Sequence, residues 1–418
     1  MKTVELDHCD SRETALHELR ETSMLFGRSR SGRRTSYEQP GSTRSLNRIV
    51  ALDGYRALAI LSVLSFHYTI RWAAPYDPNA HFPAGSIFNG FPLFEYGWIG
   101  VEFFFVISGF VILMTLERCS NVIDFACRRF ARLWPPLLVA ATLTTIVMVF
   151  MGPGDWQVSS YDYVTSVLLI SPDITSKLLH IHDVKWVDGA YWSLWVEIRF
   201  YILAAVAYLT ARRSFIKLWL VLQVGVLAAG LLISIADSGK AETLLELIFF
   251  PAHLPYFTLG VCAYEIYSKG SLRGVAIIGA AMVSCLVLCN AFFGMNIYVG
   301  TDRLICVVAN LVIFLLFFLF LIDHPIVSIF RLWPIVALGQ ASYSLYLIHQ
   351  HIGVAMMRTA VQWGVPYLVI LPLTTCIVVT TAFLLFRVVE TPVKIWMLRH
   401  FQKLIVGVGT KAPWLSYK

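Results

Sequence analysis

Ten apolar runs of roughly twenty residues constrain this chain more than any other feature. They lie near 49–70, 96–116, 133–152, 191–211, 215–236, 245–267, 273–293, 303–322, 335–357 and 366–388. Crossing about 30 Å of hydrocarbon takes about 20 helical residues, because lipid offers no partner for backbone N–H and C=O groups. Barrel strands would be about 10 residues long with alternating polarity, and these runs do not alternate. Charged residues make up 14% of the chain and apolar ones 57%; soluble domains carry about 25% charged residues. The expected fold is an all-α polytopic membrane protein with about ten transmembrane helices.

The charge distribution divides the chain into three parts. Residues 1–48 hold Arg12, Arg20, Arg28, Arg30, Arg33, Arg34, Arg44 and Arg48 among Ser and Thr, with no apolar core. A basic, unstructured cytoplasmic tail is expected there rather than a cleaved signal or a nucleic-acid arm. Residues 49–396 form the membrane domain, and 397–418 a short cytoplasmic tail. With both termini inside, the inner loops carry Arg118, Arg128, Arg129, Arg132, Arg212, Arg213, Lys217, Lys269, Arg273 and Arg331. The outer loops carry Arg71, Lys177, Lys185, Lys240, Arg303 and Arg358. That bias follows the positive-inside rule. The eight cysteines, Cys9, Cys119, Cys127, Cys262, Cys285, Cys289, Cys306 and Cys376, form no CxxC pair and read as small packing residues. His180, His182 and Asp183 in the long 153–190 loop are too loosely spaced for a metal site, and no metal is expected.

Ionisable groups inside apolar runs are costly, so they mark function. In the first run, "YRALAILSVLSFHY" places Arg56 and His67 eleven residues apart. Eleven steps of about 100° bring the two side chains onto nearly the same face, about 16 Å apart along the axis. Arg56 lies toward the cytoplasm and His67 toward the outside. Snorkelling to headgroups is the alternative for Arg56, and an interfacial position the alternative for His67. In the second run, Glu102 enters at the depth of His67 and is expected to orient it. Ser108 and Gly109 follow, small enough for a close helix or a thin ligand. The inner loop "CRRFARLWPP" gathers Arg128, Arg129 and Arg132, a fork set suited to phosphates, with lipid headgroup anchoring as the alternative. The fourth run opens "YWSLWVEIRFY", bringing Trp192, Glu197 and Arg199 near the external side. "SYSLYLIHQHI" in the ninth carries Tyr346 and His349 on one face, and "FRVVETPVKIW" closes the tenth with Glu390 and Pro392.

Taken together, Arg56 and His67, "GVEFFFVISGF", the Arg129-x-x-Arg132-x-x-Pro135 motif, "WSLWVE", "SYSLYLIH" and "VETP" resemble the acyltransferase 3 family of integral-membrane acyltransferases. The resemblance covers residues 49–396, and the chain looks like the single-domain form. It implies transfer of an acyl group, acetyl from acetyl-CoA above all, to a hydroxyl of a carbohydrate or glycosylated acceptor such as an exopolysaccharide or lipopolysaccharide. It also implies a multi-pass protein of the bacterial inner membrane, with acyl-CoA as co-substrate and no bound cofactor. On this reading His67 is the general base, Glu102 its orienting partner, and Arg56 the stabiliser of developing charge. Arg129, Arg132 and Ser108 serve the donor, and Trp192, Glu197, Tyr346 and His349 are further site candidates. An acyl-enzyme on His67 or Ser108 is the alternative route. The competing class is a transporter or flippase of a glycan or small molecule. It fits the helix count, but the runs show no internal repeat or matched Gly/Pro-broken pair.

Overall fold

The computed structural model describes residues 40–236, 238–269 and 302–411. The run expected at 273–293, the tail to residue 39, Cys9, Cys285 and Cys289 lie outside the described residues. From Leu46 onward the described residues form one compact unit. Among the described residues the structure is helical, without a β-strand. We label the main helices α1 (Pro40–Thr69), α2 (Gly100–Arg118), α3 (Val122–Met151), α4 (Trp192–Ala211), α5 (Phe215–Ala236), α6 (Gly239–Phe249), α7 (Leu254–Lys269) and α8 (Arg303–Leu321). There follow α9 (Trp333–Gln340), α10 (Ser342–Ile348), α11 (Gln350–Gln362), α12 (Tyr367–Leu385) and α13 (Thr391–Lys411).

Seven helical stretches among the described residues are long and apolar enough to cross a membrane. One of them, Gly189–Ala236, contains both α4 and α5, joined by the three-residue turn Arg212–Ser214. Large apolar side chains stay exposed on the outer helices, among them Ile235, Leu304, Leu368 and Phe150. In water such a surface would drive aggregation, whereas hydrocarbon solvates it at no cost.

Four sequence expectations change. The arginines of "CRRFARLWPP" are not in a loop. Asn121 caps the helix by accepting from the Asp124 amide at 2.8 Å, so α3 begins at Val122 and carries Arg128, Arg129 and Arg132 on its early turns. The 245–267 run is two helices, because Phe250 turns into the left-handed region (φ 39°) and Pro251 follows it. The 335–357 run is α9, α10 and α11, interrupted at Ala341 and His349, with no single helix of spanning length. Finally, Glu390 and Pro392 do not close the last helix. A π-helical turn, Phe386–Glu390, leads into α13, and Glu390 is buried there, accepting from Ser344 Oγ at 2.7 Å.

Small residues set a close helix crossing. A Cβ on Gly109 of α2 would lie 2.1 Å from the Phe257 carbonyl oxygen of α7, and one on Gly260 1.9 Å from that of Val106. The two backbones are therefore in contact at mutually placed glycines, which packs α2 against α7 with no side chain between them. Phe105 stacks on Phe257 at 4.6 Å and Phe257 on Phe200 at 4.0 Å, extending the seam to α4.

Candidate functional site

Two cavities lie on opposite faces of the start of α4. The first is narrow, about 80 Å³, and runs between α1, α2, α3, α4 and α10. Its walls include Arg56, Ser108, Arg129, Arg132, Glu197 and Tyr346, which the sequence spreads over four apolar runs and an inner loop. Glu197 Oε1 accepts from Ser108 Oγ at 2.8 Å and from Tyr201 OH at 2.6 Å. A side chain expected near the outer surface thus faces the arginines. Arg56 pairs with Asp53 at 2.5 Å, one turn earlier on α1. Arg129 reaches Thr115 Oγ1 at 3.3 Å, and its Nε is buried with no hydrogen-bond partner. Arg132 is in electrostatic reach of Glu390, Glu197 and Asp53. Three guanidinium groups therefore share one confined space with fewer carboxylates in direct contact than cations. Such a space suits an anionic ligand.

At the far end of the narrow cavity Tyr346 OH meets Ser193 Oγ at 2.7 Å and donates to the Ala190 carbonyl at 3.0 Å. The Tyr346 ring lies 5.4 Å from the His349 ring, and His349 lies 4.9 Å from His67. The tautomers follow from the partners, because a carbonyl oxygen only accepts. His349 Nδ1 donates to the Tyr346 carbonyl at 2.8 Å, which leaves its Nε2 as an acceptor. His67 Nδ1 donates to the Val63 carbonyl at 2.9 Å and faces His349 Nε2 at 3.3 Å. Nε2 of His67 is then its unprotonated nitrogen. His349 is held from behind by Tyr68, whose hydroxyl donates to the His349 carbonyl at 2.9 Å. The Tyr68 ring fills the space beside Gly353, where a Cβ would come within 2.0 Å of that hydroxyl.

The structure does not bring Glu102 to His67. Glu102 is 1% exposed and lies 3.2–3.3 Å from Nδ1 of His253, the first residue before α7. α2 turns the Glu102 carboxylate toward His253 at the start of α7 instead of toward α1. His253 was not singled out from the sequence. The available signal was "PAHLP", in which Pro251 and Pro255 flank it and break an otherwise continuous apolar run.

The second cavity is wide, about 1270 Å³, and is walled by α4, α6, the 153–190 segment and the segment before α2. Trp192, Trp195, Arg199, Glu246, His253 and His351 line it. His351 stacks on Trp156 at 4.3 Å, and its Nδ1 donates to the Val187 carbonyl at 2.9 Å. At the rim His81 bridges two carboxylates, Asp77 at 2.5 Å and Asp155 at 2.8 Å, tying the 71–95 loop to the 153–190 segment. That segment is itself ordered by a capping box at Ser159 and Asp162. Outside the membrane spans, burial pushes the Cys119 thiol up to about 12, so it stays neutral and behaves as a packing residue.

The chain is 24% identical over 394 residues to the peptidoglycan O-acetyltransferase OatA of Listeria monocytogenes, covering 83% of this chain and 56% of the relative. It is 25% identical over 380 residues to the O-acetyltransferase OatA of Staphylococcus aureus, covering 82% of this chain and 57% of the relative. It thus spans a little over half the length of these relatives. No solved structure matches it. The family model described as an acyltransferase domain, Acyl_transf_3, matches residues 49–387, which takes in both cavities, both histidine pairs and the three arginines of the narrow cavity, and the chain belongs to that acyltransferase family.

Proposed function

We propose that the protein is a membrane O-acetyltransferase that carries the acetyl group of cytoplasmic acetyl-CoA to a hydroxyl of a carbohydrate on the opposite side of a bacterial inner membrane. The observation that carries this reading is the contact path from Arg56, Arg129 and Arg132 through the narrow cavity to Tyr346, His349 and His67, with the wide cavity beyond α4. The arginines serve the phosphates of the donor, and the narrow cavity the thin arm that bears the thioester. Both termini are cytoplasmic in this scheme. The names of the two relatives, one of them a peptidoglycan enzyme, support a glycan acceptor.

In the reaction, Nε2 of His67 takes the proton of the acceptor hydroxyl as its oxygen attacks the thioester carbonyl. The C–S bond breaks, the acetyl ester forms, and the departing CoA thiolate takes the proton from His67, which restores the neutral imidazole. Arg56, three helical turns away on α1, offsets negative charge on the donor. His349 keeps His67 in the required tautomer, in place of the carboxylate of a catalytic triad. The test is to incubate membranes containing the protein with acetyl-labelled acetyl-CoA and candidate glycans. Covalent, base-labile label on the glycan is the expected result. Glycan movement across the membrane without label on it would replace this reading with a transporter.

A further inference from the structure

We infer that Trp192, Trp195 and His253 form a sugar-ring subsite in the wide cavity, with the ring stacked on the indoles and one of its hydroxyls bonded to Nε2 of His253. This rests on the carbohydrate acceptor proposed above and assigns it a place. Trp192 and Trp195 are one turn apart on α4, so both project to the same side, and both are half-buried in the cavity wall. The Trp192 ring lies 5.2 Å from that of His253, tilted by 40°. Two fixtures hold this corner. Arg199 sits 5.3 Å from the Trp195 ring and donates to the carbonyls of Glu246 at 2.6 Å and Leu247 at 2.9 Å, which ends α6 against α4. Glu102 fixes His253 from behind.

The chemistry of this corner is specific. The carboxylate of Glu102 accepts from Nδ1, so Nε2 of His253 presents a lone pair, and His253 lines the cavity while Glu102 does not. A pyranose offers an apolar C–H face and a rim of hydroxyl donors. Indole faces match the first and an imidazole lone pair matches the second. An acyl chain would leave Nε2 of His253 unmatched, at the cost of an unsatisfied polar group. The volume exceeds the usual 300–1,000 Å³ of small-molecule sites, leaving room for more than one ring. His253 thus serves recognition, and the proton transfer stays with His67.

The test uses the full chain in lipid nanodiscs, labelled acetyl-CoA, a panel of soluble oligosaccharides, and glycerol as a ringless acceptor. On the best oligosaccharide, Trp192→Ala and His253→Ala are each expected to raise the acceptor KM about tenfold, with kcat changed less than threefold and the KM for acetyl-CoA unchanged. His253→Gln, which keeps a hydrogen-bonding group, recovers part of the loss. Transfer to glycerol, which has no ring to stack, falls less in Trp192→Ala than transfer to the oligosaccharide. The inference is overturned by an unchanged oligosaccharide KM in both alanine variants. It is equally overturned by a kcat loss of a hundredfold or more with unchanged KM, which would move His253 into the proton transfer. Wild-type transfer to glycerol but to no oligosaccharide defeats the sugar subsite and leaves the acetyltransferase standing. No transfer to any acceptor defeats the acetyltransferase itself.

Discussion

Two buried imidazoles, His67 and His253, sit in the same half of the bundle with their Nδ1 atoms engaged, yet their surroundings differ in kind. His253 leans on a carboxylate and forms part of a cavity wall. His67 leans on a backbone carbonyl and a second imidazole, and borders neither cavity. A carboxylate stabilises the imidazolium that a general base becomes, whereas a carbonyl and a neutral imidazole mainly fix the tautomer. By that criterion alone His253 would be the stronger base. Position points the other way. His67 lies at the end of the contact path from the arginines, through rings 5.4 and 4.9 Å apart, and so lies where the donor's acetyl group would arrive. The lesson is that the better-supported imidazole need not be the reacting one. Nearness to the donor path decides, and each variant below separates the two pairs.

The largest effect is expected at His67. His67→Ala removes the proposed base and is expected to lower acetyl transfer by about 10²–10⁴-fold, with protein level, membrane insertion and acetyl-CoA binding retained. His349→Ala frees the tautomer without removing the base, and a loss of about tenfold in kcat is expected, smaller than for His67. Both are read as rates of label transfer at saturating substrates. A fully active His67→Ala would hand the chemistry to His253 and invert the comparison.

The donor end comes next. Arg132→Ala and Arg129→Ala each delete a cation from the narrow cavity. A charge-assisted hydrogen bond contributes about 1.5–3 kcal/mol, so acetyl-CoA affinity is expected to fall about 10- to 100-fold, measured by binding of labelled acetyl-CoA. The acceptor KM should not move, since neither arginine lines the wide cavity. Unchanged acetyl-CoA affinity would return both residues to lipid anchoring.

A packing variant distinguishes the pairs by the helices that hold them. Glu102 rides on α2 and His253 leads into α7, the two helices that touch at Gly109 and Gly260. Gly260→Ala puts a methyl against the Val106 carbonyl and forces α2 and α7 apart, at about 1–3 kcal/mol. The thermal transition in detergent is expected to fall by several degrees. Acceptor KM should rise with it, while His67 and His349, on α1 and beside α10, keep their geometry. An equal loss of kcat would mean that the two pairs are mechanically one.

Much of this layout was legible in the sequence. The eleven-residue step from Arg56 to His67 follows from helical periodicity, and the depth of Glu102 from its place in the second run. What periodicity supplies is depth along one helix. It says nothing of how one helix is rotated against another, so the partner of Glu102 was misassigned. The Ser108–Glu197 bond, spanning 89 positions, left no local trace. His253 was hidden for a different reason. The 245–267 window is apolar enough to override two prolines, although Pro251 and Pro255 withhold the backbone donors on which a continuous helix depends. The breaks at Ala341 and His349 have no proline beside them. They lie among the buried polar side chains Ser342, Ser344, Gln350 and His351, of which Ser344 donates to Glu390 and His351 to the Val187 carbonyl, both distant in sequence.

The smallest expected effect is at Tyr346, which sits between the two pairs. Its hydroxyl bonds Ser193 and the Ala190 carbonyl at the start of α4, and its ring touches His349. Tyr346→Phe keeps the ring and removes the hydroxyl. A neutral hydrogen bond is worth about 0.5–1.5 kcal/mol, so a two- to tenfold change is expected. Where it appears is the informative part. If the hydroxyl matters by fixing α4, whose next residue is Trp192, the change falls on acceptor KM. If it matters by keeping the ring against His349, it falls on kcat. Because the ring stays packed in phenylalanine, the KM change is the expected one, and a kcat change alone would make Tyr346 part of the His67 pair.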